Sequence, residues 1–325
     1  MTINNQEGAR KVLVTGANGF IGRALCHSLL LAGYEVCAVV RKLSDPIDRV
    51  NYLVADLERP DDLSIEGLGI DCIVHLAGRA HILGEQNIDA LERYRAANRD
   101  ATVCLAQLAI AADVRRFIFI SSIGVNGSET TAEAFDERTP PLPHADYAVS
   151  KYEAELQLNA ILGSSSVELV TVRPPLVYDA QAPGNFARLL RLVSTGLPLP
   201  FAAVDNKRSM VSLRNLIGFL KLCIEHPDAA QELFLIADGI DLSTADLVRL
   251  LAEGMGKRPR MFSIPNSLAL FGAKLVGRQN LYVQLYRSLQ VDSGKARRLL
   301  GWQPDENARE ALVNVGRSWS ERRSG

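Results

Sequence analysis

Two residues of one predicted helix have the types and spacing for proton chemistry. The stretch A-D-Y-A-V-S-K-Y-E-A-E-L (145–156) sets Tyr147 and Lys151 four apart, and residues i and i+4 share a helix face. A free phenol titrates near about 10, too high to release its proton readily at neutral pH. A neighbouring ammonium favours the phenolate, so Lys151 is expected to draw the Tyr147 pKa down. Tyr147 would then serve as general acid or base at a carbinol or carbonyl oxygen. Upstream, R-F-I-F-I-S-S (116–122) reads as a strand ending in Ser121 and Ser122. Ser122 is expected to hydrogen-bond the same oxygen. Taken alone, Tyr-x-x-x-Lys also describes an ordinary exposed helical pair.

A second motif gives the pair a context. V-L-V-T-G-A-N-G-F-I-G (12–22) places Gly16, Gly19 and Gly22 between a strand and a helix. Glycines there allow a tight turn, close approach of backbone N–H groups to a pyrophosphate, and helix-on-strand packing. The helix N-terminus favours the anion. Gly16, Asn18, Gly19, Phe20, Ile21 and Gly22 are therefore the expected dinucleotide contacts, the bland alternative being a plain β–α turn. A ribose 2′-hydroxyl would call for an acid at the end of the second strand. That region reads Val39-Val40-Arg41-Lys42 instead. Arg41, with Lys42, suits a 2′-phosphate, so NADP is favoured and NAD stays open; the alternative for both cations is a solvated loop.

The elements that must hold these residues alternate. Strands are predicted at 11–15, 35–40, 51–55, 71–76, 116–122 and 167–172, with helical patterns over 19–33, 86–112 and 147–162. Such alternation predicts a parallel sheet covered on both faces. Residues 1–10 are polar and read as a flexible tail. Residues 11–175 form the expected dinucleotide-binding domain, and 176–325 a smaller substrate domain interleaved with it. The later strands at 208–213 and 233–237 fit either sheet. Helices are expected near 243–256 and 265–276. The apolar stretch 262–277 is expected to face the core, with docking on a membrane surface as the alternative.

Composition excludes several classes. Lys plus Arg number 36 against 37 Asp plus Glu, which gives no electrostatic case for nucleic acid. No apolar run suits a membrane span, so no stable insertion is expected. The five cysteines are scattered without C-x-x-C, suggesting neither disulfides nor a metal site. The chain reads as soluble and cytoplasmic.

With T-G-A-N-G-F-I-G (15–22), A-D-L (55–57), H-L-A-G (75–78), Y-R-A-A-N (94–98), F-I-S-S (119–122), Y-A-V-S-K (147–151), R-P-P-L-V-Y (173–178) and V-D-S-G-K-A-R-R-L-L-G-W-Q-P (291–304) in order, the chain resembles the extended short-chain dehydrogenase/reductase superfamily, in its nucleotide-sugar epimerase/dehydratase/reductase group. The resemblance spans about 11–320. It implies a Rossmann-type doubly wound parallel sheet with a smaller C-terminal α/β substrate-binding domain. It also implies roles. Asp56 would bind the adenine amino group, with Leu57 beside it, and Leu76, Ala77 and Gly78 would line the cofactor. Asn98 would stabilise the active-site backbone. Ser121 and the Pro174–Val177 segment would lie at the cofactor, and Lys151 would also hold the ribose. Asn185 and Arg208, and more weakly Arg287, would contact a nucleotide diphosphate, with Asn126 also at the substrate. His75 is expected to be structural. Homodimers pairing 86–112 and 147–162 are expected by analogy.

The same resemblance narrows the reaction. The group's 4,6-dehydratases carry adjacent Asp and Glu where this chain has Ile123 and Gly124, which disfavours dehydration, and the missing acid at Gly124 disfavours decarboxylation. What remains is hydride transfer at C4. H-L-A-G-R-A-H, R-P-P-L-V-Y, G-N-F and N-K-R-S are similar to bacterial enzymes that reduce UDP-4-keto-6-deoxy-N-acetylhexosamine towards UDP-N-acetylquinovosamine for surface polysaccharide such as lipopolysaccharide. Asp179 stands where a Gly is usual, and Asn126 where a Tyr is common. A UDP-sugar 4-epimerase with tightly bound NAD is the alternative. Reduction of a hydrophobic ketone and non-catalytic dinucleotide sensing follow.

Overall fold

The computed structural model describes residues 10–59, 62–79, 89–275, 277 and 279–324. Residues 1–9 of the expected tail, and 86–88 of the expected second helix, lie outside them. The chain forms two compact units. The first comprises Met1–Val125, Ala145–Arg173 and Phe219–Phe234; the second comprises Asn126–His144, Pro174–Gly218 and Leu235–Gly325.

In the first unit, short apolar runs become strands: β1 (Lys11–Thr15), β2 (Glu35–Val40), β3 (Val50–Val54), β4 (Cys72–His75), β5 (Arg116–Ile120) and β6 (Glu168–Arg173). They pair in parallel in the order β3-β2-β1-β4-β5-β6. β5 is buried along its whole length, as a strand covered on both faces must be. The order reverses between β1 and β4. In such sheets that switch point opens a crevice beyond the strands' C-terminal ends.

Helices α1 (Phe20–Leu31), α2 (Ala90–Arg95), α3 (Ala101–Ala111) and α4 (Asp146–Leu162) accompany this sheet. The expected helix over 86–112 is interrupted: a π-turn over Ala96–Asp100 joins α2 to α3. Leu13, Ile73, Phe117 and Phe119 of the sheet pack with Leu105 of α3 and Leu158 and Leu162 of α4 in one buried cluster. Arg116 is fully buried, yet its guanidinium meets the Glu168 carboxylate at 2.6 Å and donates to the Cys223 and His226 carbonyls. A buried charge needs such complete pairing.

The second unit carries β7 (Leu176–Tyr178) and β8 (Met210–Ser212), paired in parallel as a two-stranded sheet. β9 (Glu232–Leu235) instead joins the large sheet outside β6, so the two later strands predicted from sequence part company. Helices α5 (Gly184–Ser194), α6 (Leu213–Glu225), α7 (Thr244–Gly254), α8 (Asn266–Leu275), α9 (Gln279–Tyr286), α10 (Gly294–Leu300) and α11 (Ala308–Ser324) complete the chain. Ser243 and Asp246 form a capping box that starts α7. Among the described residues no helix is long and apolar enough to cross a membrane.

Candidate active site

The glycine loop sits at the switch point. Gly16 adopts φ +67°, and a Cβ there would lie 2.7 Å from the Ala77 backbone nitrogen. A Cβ at Gly22 would lie 2.3 Å from the Gly16 carbonyl oxygen. Both positions therefore demand glycine, the first to let β1 turn against the chain leaving β4, the second to seat α1 on the loop. α1 begins with no capping side chain and no acid in its first turn. Its first N–H groups and positive dipole end thus favour an anion. This cradle fits a dinucleotide pyrophosphate.

Beside it, Arg41 and Lys42 are exposed where β2 ends, and neither forms an ion pair among the described residues. Asn18 donates to the Lys42 carbonyl at 2.9 Å and to Ser44 Oγ at 3.3 Å. The structure thus gives the Asn18 amide a bracing task, tying the cationic loop to the glycine loop. Asp56 Oδ1 accepts from the Glu58 N–H at 3.2 Å, a local turn that leaves its other oxygen available.

A buried chain of hydrogen bonds underlies the crevice. The Thr102 hydroxyl donates to the Asn98 carbonyl at 2.6 Å. Its single proton is then spent, so it accepts from His75 Nε2–H at 2.8 Å. His75 Nδ1 accepts from the Thr15 hydroxyl at 2.7 Å, which itself accepts from the Ala77 N–H at 3.1 Å. His75 is thus a neutral Nε2–H tautomer. Burial and the nearby Lys151 hold its pKa down at about 3, consistent with a structural His75.

The π-turn aims the Asn98 side chain. Its Oδ1 accepts from the Arg79 N–H at 2.7 Å, and its Nδ2 donates to Ser150 Oγ at 2.9 Å and to the Arg79 carbonyl at 3.2 Å. Ser150 Oγ donates to the Tyr147 carbonyl at 2.8 Å. Asn98 thus fixes the backbone after Gly78 against the first turn of α4. The Ser121 hydroxyl is buried and has no hydrogen-bond partner among the described residues, so its donor and acceptor capacity is unspent. Leu76 and Ala77 are half-buried and Gly78 is exposed.

Of the three expected catalytic residues, Tyr147 and Lys151 stand on α4 and Ser122 in a turn packed against it. A Cβ built on Gly124 would stand 3.4 Å from Ser122 Oγ and 3.4 Å from Ala148 Cβ, so the Ser122 turn packs on the helix beside Tyr147. A Cβ built on Gly78 would stand 3.6 Å from Lys151 Nζ. Ser122 Oγ accepts from the Gly124 N–H at 3.1 Å, which leaves its own proton free to donate. The Tyr147 hydroxyl makes no hydrogen bond among the described residues, and its ring meets Tyr94 edge-on at 6.1 Å.

The expected depression of the Tyr147 pKa is not what the protein shows. Burial pushes Tyr147 up to about 12, with Tyr94 adding to the rise. Burial also pulls Lys151 down to about 7, against the opposing pull of Glu155. The reason is burial. Lys151 is almost wholly removed from water, which disfavours its charge. This outweighs the contact of its Nζ with the Phe119 face, 4.3 Å from the ring centroid, which favours a cation.

The folded state penalises the Lys151 ammonium, so the cost is full below about pH 7 and fades as pH rises to 10.5, the ordinary lysine value. Wild-type stability relative to Lys151→Met should therefore rise by a few kcal/mol between pH 7 and pH 10. Urea unfolding of both proteins across that range checks it; a constant gap would refute it.

In the second unit, Arg208 is pinned by backbone hydrogen bonds to Leu242 in both directions. Its guanidinium donates to the Arg287 carbonyl at 3.1 Å and meets no carboxylate among the described residues. Burial lowers its pKa to about 10, the mark of a cation lacking a counter-ion. Asn185, at the start of α5, donates to Gln284 Oε1 of α9 at 2.6 Å. Asn206 binds the Leu285 and Arg287 carbonyls, so Asn185 and Arg208 gather around α9. Arg287 pairs with Glu129 at 3.5 Å. Asn126 is buried and donates to the Asp136 and Thr139 carbonyls, each at 3.4 Å; it braces a turn rather than offering a free amide. Pro174 is buried and Val177 half-buried on β7. The His75 chain, Ser150 and Gln284 escaped the sequence reading, since polar residues inside apolar runs carry no periodic signal. Among the described residues no His/Cys/Asp/Glu cluster could hold a metal.

Comparison with known proteins adds a family. The family model described as "NAD dependent epimerase/dehydratase family" matches residues 12–237. A UDP-glucose 4-epimerase of Vibrio cholerae is 39% identical over 323 residues, covering 98% of both chains. The solved structure of MoeE5 in complex with UDP-glucose and NAD is similar at 26% identity and a TM-score of 0.76, covering 97% of this chain and 100% of that one. The UDP-glucose 4-epimerase structure from Thermotoga maritima, with UDP-glucose, shares the fold at a TM-score of 0.78 and 22% identity, covering 97% and 100%.

Proposed function

The chain belongs to the NAD dependent epimerase/dehydratase family, and from that premise we propose that it reduces the C4 keto group of a UDP-linked 4-keto-6-deoxy-hexosamine with NADPH. The observation that carries the reductase reading is the exposed Arg41-Lys42 pair at the end of β2, which forms no ion pair among the described residues and stands where a ribose-binding acid is absent. Two cations there favour a 2′-phosphate, and a phosphorylated dinucleotide suits a reductant that binds, reacts and leaves.

The nicotinamide supplies the hydride when bound. Tyr147 Oη gives its proton to the C4 oxygen, and the Ser122 hydroxyl donates a hydrogen bond to the same oxygen as charge develops there. Lys151 holds the ribose, and its ammonium, present below about pH 7, stabilises the phenolate that Tyr147 becomes on giving up its proton. Ile123 and Gly124 offer no ionisable group for dehydration. Arg208, which meets no carboxylate among the described residues, receives the substrate diphosphate with Asn185 beside it. The same reading places the enzyme in the cytoplasm as a homodimer. A 4-epimerase is the second reading, favoured by the V. cholerae relative, whose name is UDP-glucose 4-epimerase.

Denaturing extraction followed by calorimetric titration separates the two. Little carried cofactor and a preference for NADPH over NADH are expected. Arg41→Ala should weaken NADPH binding by about 10–100-fold, the value of a charged hydrogen bond, and leave NADH unchanged. Stoichiometric, tightly held NAD would establish the epimerase instead.

A further inference from the structure

Helix α8 buries none of its residues, contrary to the expectation that 262–277 turns to the core. Leu268, Phe271 and Leu275 are spaced three and four apart and so share one face. They are 58%, 58% and 72% exposed. The adjoining stretch adds Leu197 and Phe262, exposed by 61% and 46%, brought close by the bridge between Leu199 and Met261. An isolated exposed leucine means little, but a stripe of this kind does.

Charge identifies what covers it. No Asp or Glu occurs between Glu253 and Asp292, although the chain as a whole is balanced at 36 basic and 37 acidic residues. Lys257, Arg258, Arg260 and Lys274 fall in that window and are exposed. Arg258, Arg260 and Lys274 meet no carboxylate among the described residues, and Lys257 donates to the Ser194 carbonyl. A second copy of this chain is a poor occupant, because a two-fold contact sets the same cations against each other. An anionic bilayer satisfies both features: apolar side chains enter the boundary between headgroups and acyl chains, and cations meet the phosphates.

We infer that α8 and the basic segment before it dock on an anionic phospholipid surface, as a peripheral contact that spans nothing. The inference is independent of the reaction assigned above. Its test is sedimentation of the full chain with phosphatidylcholine vesicles, with and without a minority of phosphatidylglycerol. Binding is expected only with phosphatidylglycerol, and it should weaken as salt rises. The triple change Arg258→Ala, Arg260→Ala and Lys274→Ala should lower vesicle affinity about a hundredfold, near fivefold per cation. Leu268→Ser, Phe271→Ser and Leu275→Ser together should lower it by about tenfold or more. Thermal melting identifies either variant that misfolds, and the other then reads the result. Absence of binding to phosphatidylglycerol vesicles, or binding unchanged in a folded variant, overturns the inference. So does a fall in mass by light scattering in the serine variant, which would assign the face to a subunit contact.

Discussion

Tyr147→Phe is expected to lower turnover by about two to four orders of magnitude, the usual share of a positioned proton donor. Dinucleotide affinity should stay at the wild-type level. The expectation rests on what the hydroxyl does in the folded protein. It makes no hydrogen bond among the described residues, so its removal orphans no partner and stability should hold. Its proton is therefore available to a substrate oxygen. Burial holds Tyr147 near a pKa of about 12, which keeps it protonated throughout neutral pH. A donor so placed suits reduction, where the phenol gives up a proton. In the oxidative direction the same group must first lose its proton. Reduction should thus be indifferent to the phenol's own titration at neutral pH and fall as pH rises through about 7, where Lys151 loses its ammonium, whereas oxidation, which needs the phenolate, should be favoured at higher pH. Steady-state rates in both directions, with a titration of NADPH into the variant, check this. Retention of near-wild-type turnover by Tyr147→Phe would remove Tyr147 from the role of proton donor. A loss of dinucleotide binding would instead make it a structural residue.

The large sheet was legible because period and punctuation agree at every level. The apolar runs of β1, β2, β4, β5 and β6 lie within a few residues of their predicted limits, and the glycine loop falls at the switch point that the strand order creates. Local sequence determines those features, since a fully covered strand must be apolar throughout and Gly16 must accept φ +67°. What escaped depends on tertiary contact. The π-turn at Ala96–Asp100 has no composition of its own, yet it turns Asn98 towards Arg79 and Ser150. The Tyr147 pKa moves opposite to the direction its spacing from Lys151 predicts for a related reason: burial outweighs the neighbouring charge, and only packing shows how buried both groups are. The exposed face of α8 reads in sequence as an ordinary core stripe, because periodicity says which residues share a face and nothing of what meets it.

A second buried charge of α4, Glu155, lies one turn beyond Lys151. Glu155 and Arg173 are 4% and 3% exposed. They form a two-point pair, Arg173 Nε to Glu155 Oε1 at 2.9 Å and Nη2 to Oε2 at 2.5 Å, tying the helix to the end of β6. Glu155→Ala should cost about 3–5 kcal/mol, because it leaves the Arg173 charge buried without its carboxylate. Replacing both partners, Glu155→Leu with Arg173→Met, should return most of that stability, since apolar side chains of similar volume bury at no desolvation cost. Catalysis should not return with it. Glu155 is the charge that opposes the fall of the Lys151 pKa, so its loss lets Lys151 sink further below about 7. The double variant should then be folded at neutral pH with its lysine largely neutral, and turnover that depends on the ammonium should recover as pH is lowered. Urea unfolding together with a rate–pH profile separates the two effects. If Glu155→Ala unfolds at the wild-type urea concentration, the pair does not hold α4. If the double variant keeps the wild-type profile, the Lys151 charge is set by its burial alone.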